Sequence, residues 1–149
     1  MSRDRVKRLA PVQRFASTQA DEAGAELASA ERILSEHRQT LHELIQYRGG
    51  YATTSAEPGR WQGQHWQDYN EFLTKLDAAI AAQQDVIEQQ QLRCHALRSV
   101  WQQKRARAES LKQLRARLRS VAEQQALVRE QKADDELAAQ RHGRVPFAG

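Results

Sequence analysis

Histidine and cysteine are the residue types in this chain that most often hold metals or act as nucleophiles. The chain has one cysteine, Cys94, and five histidines. The histidines are His37, His42, His65, His95 and His142. Their spacing matches no metal-ligand pattern, and the sequence contains no Gly-rich phosphate loop, GxSxG motif or HExxH motif. We therefore expect no enzymatic activity, no metal or cofactor and no small-molecule substrate.

Cys94 has no second cysteine to pair with, which favours a reducing compartment such as the cytoplasm. Cys94 and His37 both fall on apolar stripes of the chain, so we expect a small apolar filler at Cys94 and a half-buried polar residue at His37. No apolar stretch follows the basic N-terminus as a secretory signal would require. No apolar run approaches the roughly 20 residues that a membrane span needs.

The elements that carry these residues are indicated by composition. Ala, Glu, Lys, Leu and Arg make up 72 of the 149 residues, whereas Gly and Pro together number ten. Such a composition is typical of long helices and coiled coils, and it lacks the frequent turns of a β-sandwich or an α/β domain. We predict an all-α fold, a long antiparallel two-helix coiled-coil hairpin whose second helix is the longer.

The first helix is predicted over about residues 6–51 from alternating three- and four-residue steps, the period of a coiled-coil seam. This seam consists of Ala16, Ala20, Ala23, Leu27, Ala30, Leu34, His37, Leu41, Leu44, Arg48 and Tyr51. Gly, Thr and Pro then cluster, with Pro58-Gly59 as a turn signal, and predict a loop over about 52–63.

The second helix is predicted over about 64–141, followed by a flexible tail over 142–149, all within one coiled-coil domain spanning 1–149. Its seam runs through Trp66, Tyr69, Leu73, Leu76, Ile80, Gln83, Ile87, Gln90, Cys94, Leu97, Trp101, Lys104, Ala108 and Leu111. Choosing Leu114 as the next position gives two consecutive three-residue steps, a stammer. Folding the chain at about residue 57 puts residue 5 opposite residue 109. The apolar residues Leu114, Leu118, Val121 and Val128 should then form an overhang without a partner helix.

Charge is concentrated in the same part of the chain. Residues 93–119 carry nine basic residues and one acid, and residues 3–14 carry five basic residues against Asp4. Basic stretches can bind nucleic acid. Here, however, the basic residues are interleaved with the seam and no basic-region motif is present, so we expect no specific nucleic-acid partner. Membrane binding is disfavoured because glutamines lie on the apolar stripe.

Aromatic residues concentrate around the predicted loop. Six of the nine lie between 47 and 72, and they are Tyr47, Tyr51, Trp61, Trp66, Tyr69 and Phe72. Tyr51, Trp66 and Tyr69 can cap the seam, whereas Tyr47 and Phe72 lie one step off it and are candidates for an exposed docking surface.

Three stretches together resemble the FliJ family of the flagellar type III export apparatus: LHELIQYRGGY at 41–51, WQDYNEFLTKLDAAIAAQ at 66–83 and VWQQKRARAESLKQL at 100–114. The resemblance implies a stalk-like coiled coil that binds the hexameric export ATPase FliI and the export gate protein FlhA, and escorts export chaperones. It implies a cytoplasmic protein associated peripherally with the inner-membrane export apparatus. Carried over by motif, the gate-contact residues are Leu44, Tyr47, Tyr51, Phe72, Leu76 and Ala79.

In that family the end that bears the termini enters the ATPase ring, which agrees with the basic, unpaired segment predicted above. The expected ring-contact residues are Leu114, Arg115, Arg117, Leu118, Arg119 and Val121. Two alternatives stay open: a stalk homologue of a virulence-type secretion system, and a generic structural coiled-coil dimer.

Overall fold

Two long helices make up the part of the chain described by the computed structural model, residues 2–55 and 63–143. Helix α1 spans Ser2–Ser55 and helix α2 spans Gln64–Gly143, so the second helix is longer by 26 residues. Between them Gly63 is described in a turn, with a φ of 63° that glycine adopts without strain. The predicted all-α fold with two packed antiparallel helices is confirmed.

Helix α1 continues beyond the glycine pair that follows Arg48. Gly49 and Gly50 are both helical, and the helix ends only at Ser55. The ring of Tyr51 packs on Tyr69, with centroids 5.3 Å apart, and this tertiary contact outweighs the poor helix propensity of glycine. The predicted Pro58-Gly59 turn and the tail beyond Gly143 lie outside the described residues.

The chain divides into two compact units, and each contains a segment of both helices. Unit 1 comprises Met1–Ala20 and Gln103–Gly149, and unit 2 comprises Asp21–Gln102. Within unit 1 the helices are antiparallel, because Gln13 lies beside Arg115 while Arg3 lines one groove with Leu127. Within unit 2 they are also antiparallel, with Glu31 beside Arg98 and Arg48 beside Asp77. One domain spanning 1–149 stays a prediction.

The core of unit 2 follows the predicted seam. Its buried residues are Ala23, Leu27, Ala30 and Leu34 from α1, with Tyr69, Leu76, Ile87 and Cys94 from α2. Two seam glutamines cross between the helices. The amide of Gln83 donates to the carbonyl of His37 at 3.0 Å, and that of Gln90 donates to the carbonyl of Ala30 at 3.1 Å. The small alanines allow this close approach, which satisfies amides that would be costly to bury unpaired.

The seam of unit 1 differs from the prediction after Leu111. Half-buried residues continue the regular steps through Arg115, Leu118 and Ala122, whereas Leu114 and Val121 are 43% and 42% exposed. The predicted stammer is therefore wrong. The aliphatic stem of an arginine can be buried at a seam position while its charged head reaches a polar partner.

The predicted overhang is also wrong over most of its length. Arg3, Val6 and Lys7 of α1 line one groove together with Arg119 and Ala126 of α2. Residue 5 therefore lies near this stretch of α2 rather than opposite residue 109. Folding the sequence at a guessed loop midpoint gives the direction of pairing but does not fix its register.

Candidate partner-binding surfaces

Five aromatic rings of unit 2 form one continuous cluster. The ring centroids of Tyr51 and Phe72 are 4.7 Å apart, those of Tyr47 and Phe72 are 6.2 Å apart, and Tyr47 stacks on Tyr51 at 6.4 Å. Tyr69 joins Tyr51 at 5.3 Å and Trp66 at 5.7 Å. Edge-to-face and offset contacts at these distances stabilise the cluster beyond the burial of area. Trp61 lies outside the described residues.

The cluster has a buried side and an exposed side. Tyr69 is 8% exposed and belongs to the core, whereas Tyr47 is 58% exposed although it touches two rings. Trp66 is also exposed, so it does not close the seam as a buried cap. Tyr47 and Trp66 therefore offer large aromatic faces to a partner.

The six residues expected to contact the gate differ in their exposure. Tyr47 and Ala79 are exposed, and Leu44, Tyr51 and Phe72 are half-buried. Leu76 is buried in the seam. The rings of Tyr47, Tyr51 and Phe72 are in mutual contact, so the structure brings together these three predicted residues. Leu76 lies beneath the surface and can support it from the core.

The six residues expected to contact the ATPase ring also separate into two groups. Leu114, Arg117, Arg119 and Val121 are exposed, whereas Arg115 and Leu118 are half-buried seam residues. Nη1 of Arg115 donates to Oε1 of Gln13 at 3.1 Å. Nε of Arg115 is buried and finds no hydrogen-bond partner among the described residues. Arg115 therefore contributes to the interior of unit 1.

A groove of about 600 Å³ opens on unit 1 beside Arg119. Its lining combines the basic residues Arg3, Lys7 and Arg119 with the apolar residues Val6, Ala122, Ala126 and Leu127, and with Glu123 and Glu130. The sequence interpretation missed this groove. The sequence feature that could have indicated the groove is the pair Ala122 and Ala126, whose small side chains continue the seam.

The two units carry opposite net charge. Unit 1 has 16 basic and seven acidic residues, a formal net charge of +9. Unit 2 has seven basic and twelve acidic residues, a net charge of −5. Ion pairs of unit 2 include Arg98 with Glu31 and Arg48 with Asp77. The hydrogen bond from Arg48 to Asp77, together with the negative charge of that carboxylate, raises the pKa of the Arg48 guanidinium.

The chemistry-bearing residues lie apart from one another. His37 is half-buried beside Gln83, and Cys94 is buried among Ala30, Leu34 and Ile87. Within residues 2–55 and 63–143, no group of three or more His, Cys, Asp or Glu side chains could hold a metal ion. Neither described helix has a stretch long and apolar enough to cross a membrane.

Two antiparallel helices with a heptad seam, exposed aromatic and aliphatic side chains and segregated charge define a coiled-coil protein built for contacts along its helices. The chain belongs to the flagellar FliJ protein family, whose sequence model matches residues 5–146. No curated protein and no solved structure matches the chain. Membership of this family makes the protein a component of the flagellar protein export apparatus.

Proposed function

We propose that this protein is a stalk-like link in the flagellar export apparatus at the inner membrane, which binds the hexameric ATPase FliI and the gate protein FlhA and escorts export chaperones. The observation that carries the proposal is the family match over residues 5–146. Because that family is the flagellar one, the match favours the flagellar machine over a virulence-type system. The antiparallel helices and the opposite charges of the units support two distinct docking surfaces.

The ATPase contact is assigned to unit 1. Arg117 and Arg119 are exposed there, with Leu114 and Val121 as exposed apolar neighbours. Exposed guanidinium groups can pair with carboxylates of a ring lining and guide the approach of the two proteins. Arg115 and Leu118 act indirectly, since they hold α2 against α1 from the seam.

The ATPase contact is tested by measuring hydrolysis by the cognate FliI with and without this chain. Addition of the wild-type chain should stimulate hydrolysis, and Arg117→Glu with Arg119→Glu should remove most of the stimulation. The matched control is Arg129→Glu with Arg141→Glu, which reverses two exposed arginines of the same helix outside the proposed contact. Equal stimulation by the first variant and the control would show that Arg117 and Arg119 do not bind the ring.

The gate contact is assigned to the aromatic cluster of unit 2. Tyr47 offers an exposed ring, Phe72 and Tyr51 support it, and Leu44 and Ala79 adjoin on the two helices. Aromatic side chains in such clusters are frequent hot spots of protein interfaces. Leu76 supports this surface from the core.

The gate contact is tested by binding of the full chain to the cytoplasmic part of the cognate FlhA. Tyr47→Ala with Phe72→Ala should weaken binding while helicity and ATPase stimulation remain. The control is Ile45→Ala with Leu92→Ala, which removes two exposed aliphatic side chains from unit 2. A loss of helicity in the aromatic variant would instead assign both rings to structural packing.

A further inference from the structure

Four of the seven exposed large apolar side chains of unit 2, those of Ile33, Tyr47, Val86 and Val100, occupy one heptad position. With Leu34 and Ile87 assigned to seam position a, the residue before each is at position g. Ile33 and Tyr47 of α1 are g residues 14 positions apart, as are Phe72 and Val86 of α2. Ile33, Tyr47 and Val86 are exposed and Phe72 is half-buried. The g positions thus form a mostly apolar line along each helix.

The two lines lie on the same edge of unit 2. In an antiparallel pair the g positions of the two helices face the same side, and the contact between the rings of Tyr47 and Phe72 is such a g–g pair. Two heptads further along each helix, the same register pairs Ile33 with Val86. Thr40 and Ala79, both exposed, occupy the pair between them. We call these six residues the g edge.

The opposite edge of unit 2, formed by the e positions, is partly covered by contacts within the chain. Arg98 and Glu31 are both e residues and form an ion pair. Arg48 reaches Asp77, another e residue, and Trp101 packs over Gly24 at an e position. The two edges therefore differ in degree: the e edge carries ion pairs between the helices and one exposed aliphatic side chain, Ile45, whereas the g edge presents several apolar side chains to solvent.

Acidic residues border the g edge along α1. Glu36 and Glu43 occupy the neighbouring c positions and are exposed, whereas Ala82 and Gln89 occupy c positions of α2. Lys75, the base on the α2 border, pairs with Glu71 at 3.8 Å. At the far end, Glu26 and Arg93 occupy the next g pair and terminate the apolar stretch. The g edge is thus a mostly apolar surface, with Thr40 as its polar member, and its border is negative along α1.

We propose that the g edge docks a helix of the export gate whose apolar stripe is flanked by lysine or arginine residues. This inference rests on the proposed gate contact and extends it by two heptads, from Tyr47 and Phe72 to Ile33 and Val86. Apolar residues one or two heptads apart, at about 10 Å per heptad, fit the ridge of a third helix. The border carboxylates complement basic flanks of that helix and repel anionic lipid headgroups.

The test measures binding of two labelled helical peptides to the full-length chain by fluorescence anisotropy. Both peptides carry leucines in heptad spacing, one with lysine flanks and the other with glutamate flanks. The lysine peptide should bind about tenfold tighter or more. Ile33→Gln with Val86→Gln should weaken binding of the lysine peptide about tenfold. The absence of a preference between the peptides would overturn the proposal.

The matched control is Ile45→Gln with Leu92→Gln. Ile45 is 48% exposed and Ile33 is 41% exposed, so the same residue type is tested at similar exposure, but Ile45 lies on the e edge. Neutral glutamine leaves the charge of the border unchanged in both variants. An equal loss of peptide binding in the two variants would overturn the assignment to the g edge.

The cytoplasmic part of FlhA, as a second probe, separates failure of this inference from failure of the proposed function. The extension would be overturned, with the gate contact left intact, if only one double variant lost gate binding. That variant is Tyr47→Ala with Phe72→Ala, while Ile33→Gln with Val86→Gln would still bind. If both variants bound FlhA as tightly as the wild-type chain, the gate contact itself would be overturned. The comparison of the two peptides would then still show whether the g edge prefers a basic helix.

Two other occupants of the g edge would give different results. A concentration-dependent dimer in sedimentation, abolished by Ile33→Gln with Val86→Gln, would assign the edge to a second copy of this chain and overturn the proposal. Flotation with vesicles containing anionic phospholipid, abolished by the same variant, would assign it to a membrane surface and overturn it as well.

Discussion

The indole ring of Trp101 packs directly over Gly24 in unit 2. A Cβ atom added at Gly24 would lie 3.0 Å from Nε1 and 3.3 Å from Cδ1 of the indole. We expect Gly24→Val to lower the free energy of unfolding by about 1–3 kcal/mol, because its branched side chain must displace the ring. Urea denaturation followed by the helical circular dichroism signal measures this change.

The control for Gly24 is the glycine pair in the same helix. A Cβ added at Gly49 or Gly50 would meet nothing within 4 Å, so alanine there should raise stability by about 0.5–1 kcal/mol each. In a Trp101→Ala background the cost of Gly24→Val should largely vanish. The same cost in both backgrounds would show that contact with the indole is not its cause.

Arg115 should be replaceable by leucine with a gain in stability. It occupies a seam position of unit 1, and its buried Nε has no partner among the described residues. Arg115→Leu removes that unsatisfied donor and should raise the free energy of unfolding by about 1–2 kcal/mol, measured by urea denaturation.

Arg117 provides the comparison for this change, since it is exposed two residues away in the same helix. Arg117→Leu should alter stability by less than about 0.5 kcal/mol. If Arg115→Leu instead destabilises the chain, the hydrogen bond to Gln13 contributes more than the buried nitrogen costs.

The two faces of the aromatic cluster should differ in their effect on stability. Tyr69→Ala empties a buried core site and should cost about 3 kcal/mol or more. Tyr47→Ala removes an exposed ring and should cost about 1 kcal/mol at most, because only its contacts with Tyr51 and Phe72 are lost. Thermal denaturation of both variants measures the difference. Equal losses would place Tyr47 among the structural residues and weaken its assignment to the gate.

The heptad seam is the part of the fold that the sequence predicts best. Regular steps identify the core from Ala16 to Leu34, because each such residue is apolar and small enough to pack. The same reasoning fails at Leu114, where hydrophobicity ranks leucine above Arg115 although the helix phase turns the leucine outward. The contact of Trp101 with Gly24 could not be predicted, because it depends on the register between the helices.

The candidate surfaces follow from sequence only in part. The position of Tyr47 one step off the seam predicts its exposure, and the structure agrees. The family resemblance predicted Leu76 and Tyr47 alike as gate contacts, because a motif does not separate a contact residue from the core residue beneath it. The g edge becomes visible only when the exposed residues of both helices are placed in one register.

The thiol of Cys94 should report how often unit 2 opens. It is 5% exposed and packed among Ala30, Leu34 and Ile87, so a thiol reagent can reach it only after the helices separate. We expect slow reaction with a chromogenic disulfide under native conditions and fast reaction in urea. Leu34→Ala should destabilise the closed state by about 2 kcal/mol or more and accelerate the native reaction about thirtyfold or more. Leu114→Ala, at an exposed position of unit 1, should leave the rate unchanged. Fast labelling of the wild-type chain in native buffer would contradict the packing of Cys94 in the core, since an accessible thiol needs no opening step.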